Sequence, residues 1–302
     1  MANQLPGTYP ERLTRAGAYL ARLLDEFGQP VITPFDLFEL IRRMFAERSG
    51  KALYLREDAP NADTYAALRI NLKKSGIIAS DRDYGARLFR IIGSSDLSAD
   101  EIVCLVDPTC YVSHLSAMQR WGLTDRTSNA LIVTRPDRAG GAMMLKTIME
   151  DRLGPNTDTP CPLKRISHPE MARRRKLTVF ETKASGDWID VRGEKTRLAT
   201  IGQTFLDTLQ KPEYCGGMNH VLDIWHTHAR TYLDEIVSAV DAVDIGLVKS
   251  RAGYILEERM RLNDNRIERW KTLGQRGSSR KLDPSAPFAS TFSETWMISL
   301  NV

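Results

Sequence analysis

Apolar side chains recur at three- and four-residue spacing along the N-terminal third of the chain, then give way to shorter apolar runs. Leu13, Ala16, Leu20, Leu23, Leu24 and Phe27 fall on one stripe and predict a helix from about Pro10 to Phe27, stopped by Gly28. Thr33-Pro34 announces a second helix, with a capping residue and a proline at the first helical position, carrying Leu37, Leu40, Ile41, Met44 and Phe45. A third opens at Asn61, buries Tyr65, Leu68 and Leu72, and closes before Gly76. Ile77-Ile78-Ala79 and Arg87-Leu88-Phe89-Arg90-Ile91, joined by the polar turn Asp81-Arg82-Asp83-Tyr84-Gly85, predict a β-hairpin. Ile70 falls outside the apolar stripe of the third helix.

Ser94-Ser95-Asp96 reads as a linker, after which Ser98-Ala99-Asp100-Glu101 forms a capping box for a short helix. A further helix is expected from about Cys110 to Trp121, closed by Gly122. Strands are expected at Ala130–Thr134, Thr178–Phe180, Trp188–Val191 and Arg197–Leu198. From Thr200 onward the pattern turns helical: Ile201 to Leu209, Met218 to about His228, Tyr232 to about Val243, Ile245 to Met260 and Asn263 to Leu273. The stretch 275–302, rich in Ser, Pro and Gly, reads as an extended tail.

Three helices followed by a ribbon is the order of a winged helix-turn-helix, expected over residues 1–95. Residues 96–302 then form a larger mixed α/β domain with a small sheet and helices toward its C-terminal end. The expected class is α+β.

A length of 302 residues with 42% apolar positions accommodates two such cores. The formal charge is only +4, with 42 basic side chains against 38 acidic ones, so clustering carries more information than the total. Cys104, Cys110, Cys161 and Cys215 are scattered and form no CxxC pair, which points to reduced thiols and a cytoplasmic location. The N-terminus has no signal-peptide core, and no run approaches the roughly 20 apolar residues of a membrane helix.

Basic residues gather on the third helix (Arg69, Lys73, Lys74) and on the hairpin (Arg82, Arg87, Arg90). Cations so placed release counterions from phosphates, the main source of affinity for double-stranded DNA. Thr64, Ala67, Arg69 and Asn71 have short or forked side chains suited to base edges in the major groove. A third run, Arg173-Arg174-Arg175-Lys176, is either a secondary DNA or partner contact or an ordinary exposed loop.

Candidate chemistry is sparse. Glu181-Thr182-Lys183 after a strand matches the E-x-K element of PD-(D/E)XK nucleases, in which acidic residues hold a metal and the lysine positions water. The required acidic partner has only Asp151 and Asp158 as candidates, neither in a convincing strand. His220, His226, His228, Cys215 and Asp223 do not share a helical face in sufficient number for a closed metal site. No Walker-type loop or GxSxG appears. No catalytic group, metal or cofactor is therefore expected. A metal-dependent nuclease using Glu181 and Lys183, or a plain ligand-responsive regulator, stands as the alternative reading.

The segment Tyr111-Val112-Ser113-His114-Leu115-Ser116-Ala117-Met118-Gln119-Arg120-Trp121-Gly122-Leu123-Thr124-Asp125 resembles the "YxSHxSALxxxGLT" stretch of AbiEi-type antitoxins of bacterial abortive-infection (type IV) toxin–antitoxin systems. Leu198-Ala199-Thr200, Thr204-Phe205-Leu206-Asp207 and Pro212-Glu213-Tyr214-Cys215-Gly216-Gly217 are similar to the same family's "ATPxRTLLDxLxxPExxGG" stretch, with Ile201 in place of proline and Gln203 in place of arginine. Arg280-Lys281-Leu282-Asp283-Pro284 resembles the tail of one branch. The resemblance implies a repressor that binds inverted repeats in its own promoter and whose second domain counteracts a co-encoded nucleotidyltransferase-like toxin. Ser113 and His114 are expected to serve structure, because adjacent helical residues point about 100° apart.

Overall fold

A computed structural model of the chain describes residues 12–47, 53, 55, 57–155, 157, 159–183, 185–273 and 280–302. They form two compact units, one from residues up to Pro108 together with Arg138–Arg173, the other from Thr109–Asp137 and Arg174–Val302. The architecture mixes helices with small sheets, as an α+β chain does. Among the described residues no helix is long and apolar enough to cross a membrane.

In the first unit, local signals place the elements. Helix α1 (Arg15–Phe27) starts where the Thr14 hydroxyl accepts from the Gly17 N–H at 3.0 Å, and ends at Gly28 in the left-handed region (φ 65°). The expected start at Pro10 lies outside the described residues. Strand β1 (Val31–Ile32) leads into α2 (Pro34–Ala46), which opens on a reciprocal capping box between Thr33 and Asp36. Helix α3 (Ala62–Lys74) is capped by Asn61, whose side-chain oxygen accepts from the Thr64 N–H at 2.9 Å. Strands β2 (Ile78–Asp81) and β3 (Gly85–Ile91) form the hairpin, and β1 adds to β3 on its other side. The sheet order is β1-β3-β2, wholly antiparallel, with Val31 opposite Arg90 and Ile78 opposite Ile91. Leu20, Leu24, Leu37, Ile41, Leu68, Leu72 and Phe89 fill the core between helices and sheet.

Two further pieces complete this unit. The helix Ala99–Val106 begins at the expected capping box, Ser98 with Glu101. The helix Arg138–Leu153 was not signalled by periodicity, because only Gly141, Leu145 and Leu153 are buried along its length. Arg152 near its end pairs with Asp36 at 2.6 Å and with Glu39, both on α2. Farther along, Cys161 packs against the helical core.

The second unit is built on strands Arg175–Thr182, Ala130–Pro136, Tyr111–Val112, Arg197–Ala199 and Trp188–Asp190, lying side by side in that order. The first pair is parallel, with Leu131 opposite Leu177. Tyr111 and Val112, expected within a helix, are instead a central strand, antiparallel to Ala130–Pro136 and parallel to Arg197–Ala199. A strand buried on both faces shows no alternation, and Tyr111 and Val112 are both fully buried. The helix begins only at His114. Helices Ile201–Gln210, Met218–His228, Leu233–Ala242 and Gly246–Gly253 close a core around Phe205, Trp225, Val237 and Ile255. The described tail, 280–302, packs on this unit: Phe292–Ser293 pairs with Ile298–Ser299, and the buried Trp296 indole covers Gly253.

Candidate nucleic-acid interface

Helix α3 has three buried side chains, Tyr65, Leu68 and Leu72, and these fix its orientation. Opposite them, Asp63, Ala67, Ile70 and Lys74 form an exposed stripe. Ile70 is 46% exposed, so it belongs to the outward face and its place outside the apolar stripe is explained.

The forked side chains on α3 are engaged within the protein. The Asn71 side-chain oxygen accepts from the Thr14 backbone N–H at 3.2 Å and the Thr14 hydroxyl at 3.1 Å, tying α3 to the cap of α1. Arg69 lies over the Tyr65 ring at 5.7 Å, and its Nε is buried without a partner. Burial, with Cys161 alongside, pushes the Tyr65 hydroxyl up. Lys73 donates to Ser80 Oγ at 2.8 Å and sits 4.9 Å from the Phe89 ring centre. Thr64 is half-buried in the first turn. Lys74 is exposed in the last turn, where a cation also complements the helix dipole.

On the hairpin, Arg82 pairs with Asp96 at 2.8 Å. Arg87 donates to the Tyr84 carbonyl at 3.3 Å and the Ser167 carbonyl at 2.6 Å, and Arg90 is half-buried opposite Val31 and Ala79. The run 173–176 is divided by the fold. Arg173, with a side chain only 5% exposed, pairs with Asp81 at 2.7 Å, with Asp83, and with Asp96 at 2.8 Å. Arg174 and Lys176 are exposed and Arg175 is half-buried.

Sequence reasoning missed a buried relay beside this clasp. The Tyr84 hydroxyl meets His168 Nδ1 at 3.0 Å, and His168 Nε2 meets Asp107 Oδ2 at 3.2 Å. No local signal marks it, since Tyr84 sits in a polar turn and its partners are distant in sequence. Together with Arg87 and Arg173, the relay straps the hairpin to residues 167–173.

In the second unit the segments Tyr111–Asp125 and Leu198–Gly217 meet. Ser113 is extended and His114 has a left-handed φ of 50°, so the two side chains converge, with Ser113 Oγ 2.9 Å from His114 Nδ1. The two side chains are not splayed 100° apart, because only His114 lies within the helix. The Ser113 hydroxyl does not cap that helix; it accepts from the Thr134 hydroxyl at 2.7 Å. His114 Nδ1 lies 4.0 Å from Asp207 Oδ2, and Asp207 Oδ1 accepts from Gln203 Nε2 at 2.6 Å. The His114 ring also packs edge-on against Phe180 and Tyr214. Burial pushes the Asp207 carboxyl up to about 7 and, with help from Lys211, the His114 imidazole down to about 3. Ser113 and His114 are inaccessible, which gives the pair a structural role rather than that of a nucleophile and base.

The remaining candidates do not assemble into a metal site. Glu181 faces Arg135 across the parallel strands, with Nη2 and Oε1 2.9 Å apart, so a guanidinium stands where the nuclease pattern requires a carboxylate. Lys183 is exposed at the rim of a cavity of about 500 Å³. His220 pairs with Thr124 Oγ1 at 3.0 Å, His226 is exposed, and among the described residues no cluster of metal-ligand type includes His220, Cys215 or Asp223.

No family model matches the chain, and no curated protein matches it. Among solved structures, the chain is similar to the RV2827C protein of Mycobacterium tuberculosis, with 12% identity and a TM-score of 0.46, over 98% of this chain and 94% of that one.

Proposed function

We propose that the chain is a cytoplasmic DNA-binding autorepressor that also counteracts a toxin encoded beside it. The observation that carries the first half is the element order over Arg15–Ile91, where helices α1, α2 and α3 precede the hairpin of a β1-β3-β2 antiparallel sheet. A winged helix-turn-helix has this order, with its third helix placed in the major groove and its hairpin beside the phosphate backbone. Asp63, Ala67, Ile70 and Lys74 of α3 are exposed, as is Arg87 on the hairpin. On this reading the chain binds inverted repeats in its own promoter.

The antitoxin half rests on the resemblance of Tyr111–Asp125 and Leu198–Gly217 to AbiEi-type antitoxins. The contacts of His114 with Asp207 and Tyr214 give those two separated blocks a common structural reason. The partner would be a nucleotidyltransferase-like toxin. Two experiments test the halves separately. Binding to duplex DNA from upstream of the gene should exceed binding to a scrambled duplex, and equal binding would refute repression. Coexpression with the neighbouring gene should restore growth that this gene's product arrests; failure to rescue would refute the antitoxin role.

A further inference from the structure

The outward face of α3 is poor in the groups that read guanine. A bidentate contact to guanine O6 and N7 needs an arginine or lysine directed at the base edge. Arg69 lies on Tyr65 with its Nε buried, and Asn71, the side chain suited to adenine, is held by Thr14. What the stripe offers in its middle is apolar: Ala67 and the half-exposed Ile70, between Asp63 at the first turn and Lys74 at the last. Asp63 only accepts hydrogen bonds, so it suits an amino group and opposes guanine O6 and N7.

We infer that α3 reads duplex DNA through thymine methyl groups, with Ile70 and Ala67 as the specificity-determining side chains. This rests on the DNA-binding reading above. The C5-methyl of thymine is the apolar group that the major groove presents, and covering it with Ile70 removes apolar surface from water on both partners without stranding a polar atom. Contacts to phosphates from other parts of the surface set register rather than sequence. The sites preferred by this chain therefore carry thymines opposite the middle of α3.

The test uses the full chain. Duplexes are selected from a random pool, and each thymidine of the selected site is replaced in turn by deoxyuridine, which keeps base pairing and removes only the methyl. Affinities are read by fluorescence anisotropy. Replacement at one or two positions should weaken binding about fourfold each, the worth of one buried methyl. Ile70→Ala should weaken binding to the thymidine duplex by a similar factor and leave binding to the matching deoxyuridine duplex unchanged. Because Ile70 is exposed, this variant should fold as the parent does. If the selected duplex binds but no thymidine is sensitive, or if Ile70→Ala weakens both duplexes equally, the methyl readout is wrong while DNA binding stands. If selection enriches no duplex, the DNA-binding reading fails and the inference fails with it.

Discussion

The side-chain oxygen of Asn71 holds Thr14 by two hydrogen bonds, from the backbone N–H and from the hydroxyl, across 57 residues of sequence. Thr14 in turn caps α1, so one amide locks the start of the first helix against the last turn of the third. Gly17 is part of the joint, because a Cβ there would sit 2.3 Å from the Asn71 oxygen.

Asn71→Ala should therefore lower the stability of the first unit by about 1 kcal/mol, as expected for a hydrogen bond near the surface. Under the proposed DNA-binding role, its effect on sequence preference should be small. Chemical denaturation and a binding titration on the same protein separate the two, and a changed base preference at unchanged stability would return Asn71 to the groove.

Arg173→Ala should be far more damaging than Arg174→Ala or Lys176→Ala. It leaves Asp81, whose side chain is fully buried, without its guanidinium, a loss of about 3–5 kcal/mol, whereas the exposed pair should each fall within about 0.5 kcal/mol of the parent. Although burial pushes the Asp81 carboxyl up, Arg173 and the N–H groups of Tyr84 and Asp83 hold it below the usual carboxylate range. Its contribution is present above that range and is lost as the pH falls through the lowered value. Melting temperatures of the three variants at neutral and acid pH check both statements.

Gly253→Ala tests the seat of the tail. A glycine within a helix is usually improved by alanine, by up to about 1 kcal/mol. Here a Cβ would lie 2.1 Å from the Trp296 indole, so the sign reverses and a loss of about 1–3 kcal/mol is expected. Combining it with Trp296→Ala should remove most of the added penalty, and full additivity in the double variant would show that the two residues do not meet.

The Asp207–His114 pair predicts a compensated pH response. Asp207, raised to about 7, makes the folded state hold a proton that the unfolded chain releases near 4, so its contribution falls as pH rises from about 4 to 7. His114, lowered to about 3, does the reverse, costing stability as pH falls from about 6.5 toward 3. Between about pH 4 and 6.5 the two slopes cancel. Asp207→Asn should leave the histidine slope alone, so that stability rises across this window, and His114→Asn should leave the carboxyl slope, so that it falls. Urea midpoints measured at intervals of pH decide this, and parallel curves for both variants would refute the assignment.

How much of this was legible in the sequence follows from where each signal lay. Thr33-Pro34, Asn61, Gly28, Gly76 and the Ser98–Glu101 box are local chemistry, and the elements they bound lie where that chemistry put them. Tyr111-Val112 gives no strand signal, because a central strand buried on both faces carries no alternation and its apolar residues run on into a true helix. The helix Arg138–Leu153 was invisible because it buries one narrow patch. The candidate surface was half legible. Its elements were visible, but Asn71 and Arg69 are claimed by Thr14 and Tyr65, and only the packed structure shows that Ile70 and Ala67 face outward.

Autorepression is tested most directly by titrating the full chain into labelled duplex DNA from upstream of its own gene, against a scrambled duplex of equal composition, at two salt concentrations. Autorepression requires the upstream duplex to bind more tightly by about 10³-fold or more, and affinity for both to fall as salt rises, with a slope of about −0.9 for each phosphate neutralised. Equal affinity for the two duplexes, or no salt-dependent binding to either, would contradict it.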